Sequence, residues 1–154
     1  MFKQQEFDLI KKIQADMQNF DGEYTLDVLF KWMRVLFIPQ TKWLKKLPTQ
    51  KIDLENWGIS HYKIWICKAN YKYGTPYRTV QDDFSVRNVA RHLHVSVKHY
   101  WVTYSPASDT EKIDKMNFFK KKDSRINFQL EVSPENFRVF LLKFCETISP
   151  ELSN

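Results

Sequence analysis

Glycine is nearly missing, with three residues in a chain of 154. Few glycines leave few places where the backbone turns left-handed without strain, and no G-x-G-x-x-G or G-x-x-x-x-G-K loop for cradling a nucleotide phosphate. That weighs against the usual nucleotide-binding folds. Cysteine is scarcer still. Cys67 and Cys145 stand far apart, each in an apolar run, so two buried free thiols are expected and no disulfide. No Cys-x-x-Cys or His-Glu-x-x-His spacing occurs, and neither a metal nor a cofactor is expected. No apolar run approaches the ~20 residues of a membrane span. The opening Met-Phe-Lys-Gln-Gln-Glu does not read as a signal peptide. These absences suggest a cytoplasmic or nuclear protein with no membrane partner.

Catalytic spacing is missing too. No Ser-His-Asp or Cys-His arrangement has a sequence signature. Asp53 and Glu55 with Lys63, or Asp82, Asp83 and Glu131 with Lys98, can be drawn together as a magnesium site. Any chain with 18 acids permits such drawings. No catalytic residue is named on these grounds. The balance is against an enzyme, and the question stays open.

Acid is absent above all from one stretch. Between Glu55 and Asp109 the only acids are Asp82 and Asp83, against seven cations: Lys63, Lys68, Lys72, Arg78, Arg87, Arg91 and Lys98. This stretch holds most of the net charge of +6. Rings run through it, among them Trp57, Trp65, Tyr71, Tyr77, Tyr100 and Trp101. Positive charge beside rings suits a polyanion whose bases stack. It equally suits a half-buried sheet with a solvated basic face. The pI near 9.2 attracts nucleic acids and acidic proteins alike.

The length predicts a single domain spanning 1–154. Phe2 to Asn19 has helical spacing in Leu9, Ile10, Ile13 and Met17, and Asp21-Gly22 stops it. Thr25 to Phe37 is a second helix, apolar nearly all round, which places it centrally or in an interface. The two form an antiparallel hairpin. Lysines 42, 45 and 46 mark a short helix before Pro48. From His61 the period becomes two, and Tyr62 to Cys67 reads as a strand. Arg78 to Val80 pairs back across a turn at Gly74. Asp83 to Leu93 is helical again. Thr110 to Lys122 reads as a short helix or a connection, with Lys120 to Lys122 in a solvated turn. Arg125 to Val132 alternates cleanly, as a strand with one wet face does. Ser133-Pro134-Glu135 then opens a final helix, which Pro150 ends. The pattern is α+β: an N-terminal helical hairpin, a small mostly antiparallel sheet, and a C-terminal helix packed on it.

One segment supports two readings. Val89 to Ser96 resembles the general helix-turn-helix pattern, Val-Ala-x-x-Leu-x-Val-Ser, with His94 where a glycine is usual. That resemblance implies a helix-turn-helix or winged-helix core, with Lys98, His99 and Thr103 facing the major groove. The rival reading makes Val95 to Tyr104 a strand, since Tyr100, Val102 and Tyr104 alternate with Trp101 and Thr103. The strand stands slightly ahead. His92, His94 and His99 form the one histidine cluster and read as basic-face residues that add charge when protonated.

Two functions follow from these features. The first is a small basic nucleic-acid-binding protein without catalytic activity. Its DNA or RNA contacts would be Lys63, Lys68, Lys72, Arg78, Arg87, Arg91, Lys98 and His99. The second is an α+β protein-interaction module, such as an inhibitor, immunity or adaptor factor, docking on an acidic protein partner through its aromatic residues.

Overall fold

The computed structural model describes residues 4–38, 44–72, 75–81, 84–107, 111–122 and 125–152. Helices α1 (Gln4–Gln18) and α2 (Leu26–Phe37) come first, then a single 3-10 turn at Glu55–Trp57. Strands β1 (Ile64–Lys72) and β2 (Thr75–Gln81) follow, then helix α3 (Val86–Lys98), strands β3 (Val102–Ser105), β4 (Lys115–Lys122) and β5 (Arg125–Val132), and helix α4 (Pro134–Leu152). The strands form one five-stranded sheet in the order β2-β1-β5-β4-β3. Every neighbouring pair is antiparallel. The α+β architecture is as the residue pattern predicts.

Alternation along the strands decides where the core sits. Ile64 and Ile66 of β1, Met116 and Phe118 of β4, and Phe128, Leu130 and Val132 of β5 are buried. The residues between them, Trp65, Asn117, Phe119, Asn127, Gln129 and Glu131, point to the other face and stay partly exposed. The helices pack on the apolar face. Phe137 of α4 sets its ring 5.0 Å from that of Phe118. Ile10, Ile13 and Met17 of α1 and Trp32 of α2 are buried in the same core. The hairpin of α1 and α2 is closed by Phe20, whose ring meets Trp32 edge-on at 4.9 Å. Lys31 pairs with Asp16 across it at 2.9 Å. Both cysteines are free. Cys67 is only half-buried, not buried as the residue pattern predicts, whereas Cys145 is buried and burial pushes its thiol up to about 12.

The segment with two readings is resolved at Tyr100. Helix α3 runs unbroken through His94, Val95 and Ser96, and β3 starts at Val102. The helix-turn-helix and winged-helix alternatives are therefore overturned. Side chains explain why no turn forms. His94 is buried and its Nδ1 lies 2.8 Å from the Leu36 carbonyl, donating to an acceptor that the end of α2 leaves without a helical partner. Ser96 is fully buried, and its hydroxyl donates to the Phe119 carbonyl of β4 at 2.6 Å. The first contact ties α3 to α2, the second to the sheet. Neither serine nor histidine is free to build a turn. Replacing Ser96 by Ala should cost about 1–2 kcal/mol, because the Phe119 carbonyl loses its buried donor. Urea unfolding measures this directly.

Glycine scarcity shows in how helical segments end. At Glu55–Trp57 the Gly58 N–H bonds Glu55 O at 3.1 Å and the Ile59 N–H bonds Leu54 O at 2.9 Å. Gly58 takes the left-handed conformation, φ 80°. The same paired bonds end α3: Tyr100 N–H to Val97 O at 3.2 Å and Trp101 N–H to Ser96 O at 2.8 Å. This is the Schellman arrangement, in which glycine normally holds the left-handed place. Here a tyrosine holds it, at φ 58° and 87% exposed. Tyr100→Gly should raise stability by roughly 0.5–1 kcal/mol, a gain of about 2–4 °C in Tm. Tyr100→Ala removes the same ring but keeps the strain, so its melting curve should show no such gain.

Three smaller expectations differ. Thr110 to Lys122 contains neither helix nor mere connection but strand β4, which pairs with β3 and β5. Helix α4 continues past Pro150 to Leu152. Of the lysine-rich segment before Pro48, residues 39–43 lie outside the described set, and Leu44 to Leu47 makes one turn closed by a 3.2 Å bond.

Candidate functional site

Helix α3 packs against β4 with Val89, Ala90, Leu93 and Ser96 buried, which leaves Arg91, Val95 and Lys98 on one outward stripe. Lys120 shares the parity of Met116 and Phe118, so it turns toward the helices at the far end of β4. The register of β4 against β5 shifts just after it, between Lys120 and Lys121. Together these elements frame a cleft of about 260 Å³ lined by Arg91, His92, His94, Lys98, His99 and Lys120. Leu44 and Val95 supply its apolar surface.

The cleft is electrostatically unbalanced. Among the described residues no acid forms an ion pair with Arg91, Lys98 or Lys120. Half-burial lowers the Lys120 pKa from its ordinary value, and the charges of Arg91 and Lys122 lower it further. A lysine pressed by like charge without a counter-ion is stabilised by any anion that enters. His99 adds a further donor at the rim. His92 turns its Nδ1 to its own helix, 2.8 Å from Asn88 O. His94 is committed to the Leu36 carbonyl, and among the described residues no group of three His, Cys, Asp or Glu side chains could hold a metal ion.

A run of ring contacts leads out of the cleft. His99 stacks on Trp101, centroids 4.8 Å apart and planes 25° apart. Trp101 in turn lies parallel to Phe119 at 6.3 Å and 19°. The Phe119 N–H donates to the Trp101 carbonyl at 3.1 Å, which fixes the two. Phe119 is opposite Gln129, and Gln129 is opposite Trp65. Trp101, Phe119, Gln129 and Trp65 therefore cross the sheet on the face that the helices leave bare. Lys121 holds its ammonium 5.8 Å from the Phe119 ring centre.

The residues expected from the sequence are thus divided. Arg91, Lys98 and His99 meet in the cleft. Arg87 does not join them: its Nε donates to the Leu47 carbonyl at 2.8 Å and clamps the 44–52 segment to α3. Lys63 sits on the open sheet face but is bound to Glu131 at 3.0 Å. Lys115 shares that carboxylate at 3.4 Å, and the two lysines hold the Glu131 pKa below its ordinary value. The side chains of Lys68, Lys72 and Arg78 lie outside the described set. Lys120 and Phe119 were not expected from the sequence. Their signal was the alternation of Met116 and Phe118 against Asn117 and Phe119, hidden by the charged residues on either side. No family model matches the chain, nor does any curated protein or solved structure.

Proposed function

We propose that the protein binds single-stranded nucleic acid, DNA or RNA, without catalysing a reaction. The cleft takes backbone phosphates, and the rings of Trp101 and Phe119 take bases. The observation that carries this reading is the half-buried Lys120 held beside Arg91, with no ion pair to either among the described residues. A phosphate placed there meets charge-assisted donors from two elements at once. The ring row is reached from the cleft through His99 and lies, partly exposed, on the sheet face that the helices leave bare, which suits unpaired bases better than a duplex with its bases stacked inside. With α3 unbroken through Ser96, the second helix that would have entered a major groove is not formed. A binder of this kind would act in the cytoplasm or nucleus.

The test is fluorescence anisotropy with labelled oligothymidylate and oligouridylate of about 15 nucleotides, long enough for one small binding face. A duplex of equal length and a polyglutamate chain serve as comparators. The expected result is single strands binding tighter than duplex, with affinity falling steeply between roughly 50 and 200 mM salt. No binding at the lower salt would sink the proposal. Polyglutamate bound as tightly as the oligonucleotides would replace it with the acidic-protein reading.

A further inference from the structure

A second concavity lies on the opposite side of the α3 C-terminus, between α2 and β3. Phe30, Arg34 and Phe37 line it from α2, Tyr100 from the end of α3, and Tyr104 from β3. Its volume is about 320 Å³, at the small end of the range for small-molecule sites. Phe30 and Phe37 fall on one stripe of α2 and remain 47% and 45% exposed. These are side chains that burial would normally claim. The Phe30 ring meets Tyr104 edge-on at 5.9 Å, so one wall is already ordered. Tyr100, 87% exposed, stands at the rim on a backbone position that favours glycine.

Arg34 is the only charged residue of the lining, and among the described residues it forms no ion pair. This feature narrows the occupant. A wholly apolar ligand would leave the guanidinium unused. A polyphosphate chain needs several cations, and those are gathered in the other cleft. A protein partner presents ~20–30 residues to its contact surface, whereas eight side chains line this groove. One positive fork over an aromatic slot matches one carboxylate on an apolar body.

We propose that this groove binds a small amphiphilic carboxylate, an aryl or short-chain acid. Its charge sits on Arg34 and its apolar body between Phe30, Phe37 and Tyr100. Burial pushes the Tyr104 hydroxyl up to about 12, so it stays protonated as a donor in the wall. The groove shares no lining residue with the basic cleft.

The probes are 4-phenylbutyrate and its uncharged counterpart 4-phenylbutanol, each titrated into the full chain and followed by amide chemical shifts. The expected result is saturable shifts at Phe30, Tyr100 and Val102, with the acid binding at least tenfold tighter than the alcohol. Arg34→Gln should erase that tenfold preference while leaving alcohol binding unchanged, and Arg34→Lys should restore part of it. Phe30→Ala should weaken both ligands alike. Equal affinity for acid and alcohol would overturn the proposal. So would an absence of saturable shifts, or shifts confined to Arg91 and Lys120. Sedimentation of the free protein supplies a further arm: a concentration-dependent dimer lost in Phe30→Ala would assign the groove to a second copy of the chain and overturn it likewise.

Discussion

Replacing Arg91, Lys98 and Lys120 together with Gln, Gln and Met will weaken oligonucleotide binding by about a hundredfold at low salt, at ~1 kcal/mol for each charge-assisted contact. The slope of log affinity against log salt will flatten by about 2, since three phosphate contacts on a single strand contribute ~0.7 each. The informative controls are Lys63→Gln and Arg87→Gln. Composition treats all five cations as equivalent. The structure does not, since Lys63 is paired with Glu131 and Arg87 is bonded to a backbone carbonyl. Lys63→Gln should leave affinity within about twofold, a surface ion pair contributing ~0–1 kcal/mol. Arg87→Gln should lower Tm and leave binding by the folded protein nearly intact. Equal losses from all five would mean that net charge alone drives the interaction.

Lys120 adds a pH signature to that experiment. Its folded pKa is lowered, first by desolvation and then by Arg91 and Lys122. The unfolded chain therefore holds this proton more tightly than the folded one. The resulting destabilisation is fully present below the folded pKa, and it disappears as pH rises past the ordinary lysine value. Lys120→Met should thus raise Tm at neutral pH while lowering affinity. In the unaltered protein, affinity should fall on the alkaline side before exposed lysines titrate. A residue that weakens the fold and strengthens binding is the expected mark of a functional position. If Lys120→Met lowers both Tm and affinity, the lysine is structural.

Gly58→Ala should be strongly destabilising, far more so than Gly22→Ala, where the added methyl meets only a side chain at 3.3 Å. A Cβ at Gly58 would stand 2.5 Å from the Asn136 carbonyl oxygen and 3.1 Å from Val139 Cβ. Both belong to α4, whose first turn packs over the 3-10 turn where Trp57 meets Phe140 at 5.6 Å. The φ of 80° adds strain for any side chain. A backbone oxygen cannot swing aside as a flexible side chain would, so α4 must shift on the core. The expected loss is about 2–4 kcal/mol, or a drop of roughly 5–15 °C in Tm. Urea denaturation with an unchanged m-value would confirm a lost native contact and exclude a changed unfolded state. A loss under 1 kcal/mol would show that the turn moves away from α4 freely.

The contrast between Gly58 and Tyr100 also shows what the residues alone could and could not tell. Period-two and helical spacing were enough to place α1, β1, β5 and α4, and the breaks at Gly22 and Pro39 bounded α2, which is apolar nearly all round. Strand β4 was hidden because its inward face ends in Lys120 and its flanks are charged. The end of α3 was obscured by a missing punctuation mark: a glycine at position 100 would have announced the stop. Of the candidate site, Arg91, Lys98 and His99 were legible from charge. Lys120 was not, because its importance comes from tertiary placement beside Arg91. Arg87 and Lys63 looked functional because counting cations does not reveal which have been matched by a carbonyl or a carboxylate.

The sheet is a hairpin, β1 with β2, and a three-stranded meander, β3 to β5, joined at a narrow seam. β1 and β2 are neighbours in the chain, as are β4 and β5. Among the described residues β1 and β5 meet through three residue pairs, Ile64 with Leu130, Trp65 with Gln129, and Ile66 with Phe128. That seam lies in the middle of the sheet but joins strands far apart in sequence. During synthesis the first hairpin emerges with one edge of β1 unpaired, and its completing strand follows only after α3, β3 and β4. Closing the seam requires a long loop to be drawn in before its contacts can form, so it should be the slow step of folding. The interval before β5 leaves the ribosome is when this protein is most open to pairing with the wrong strand.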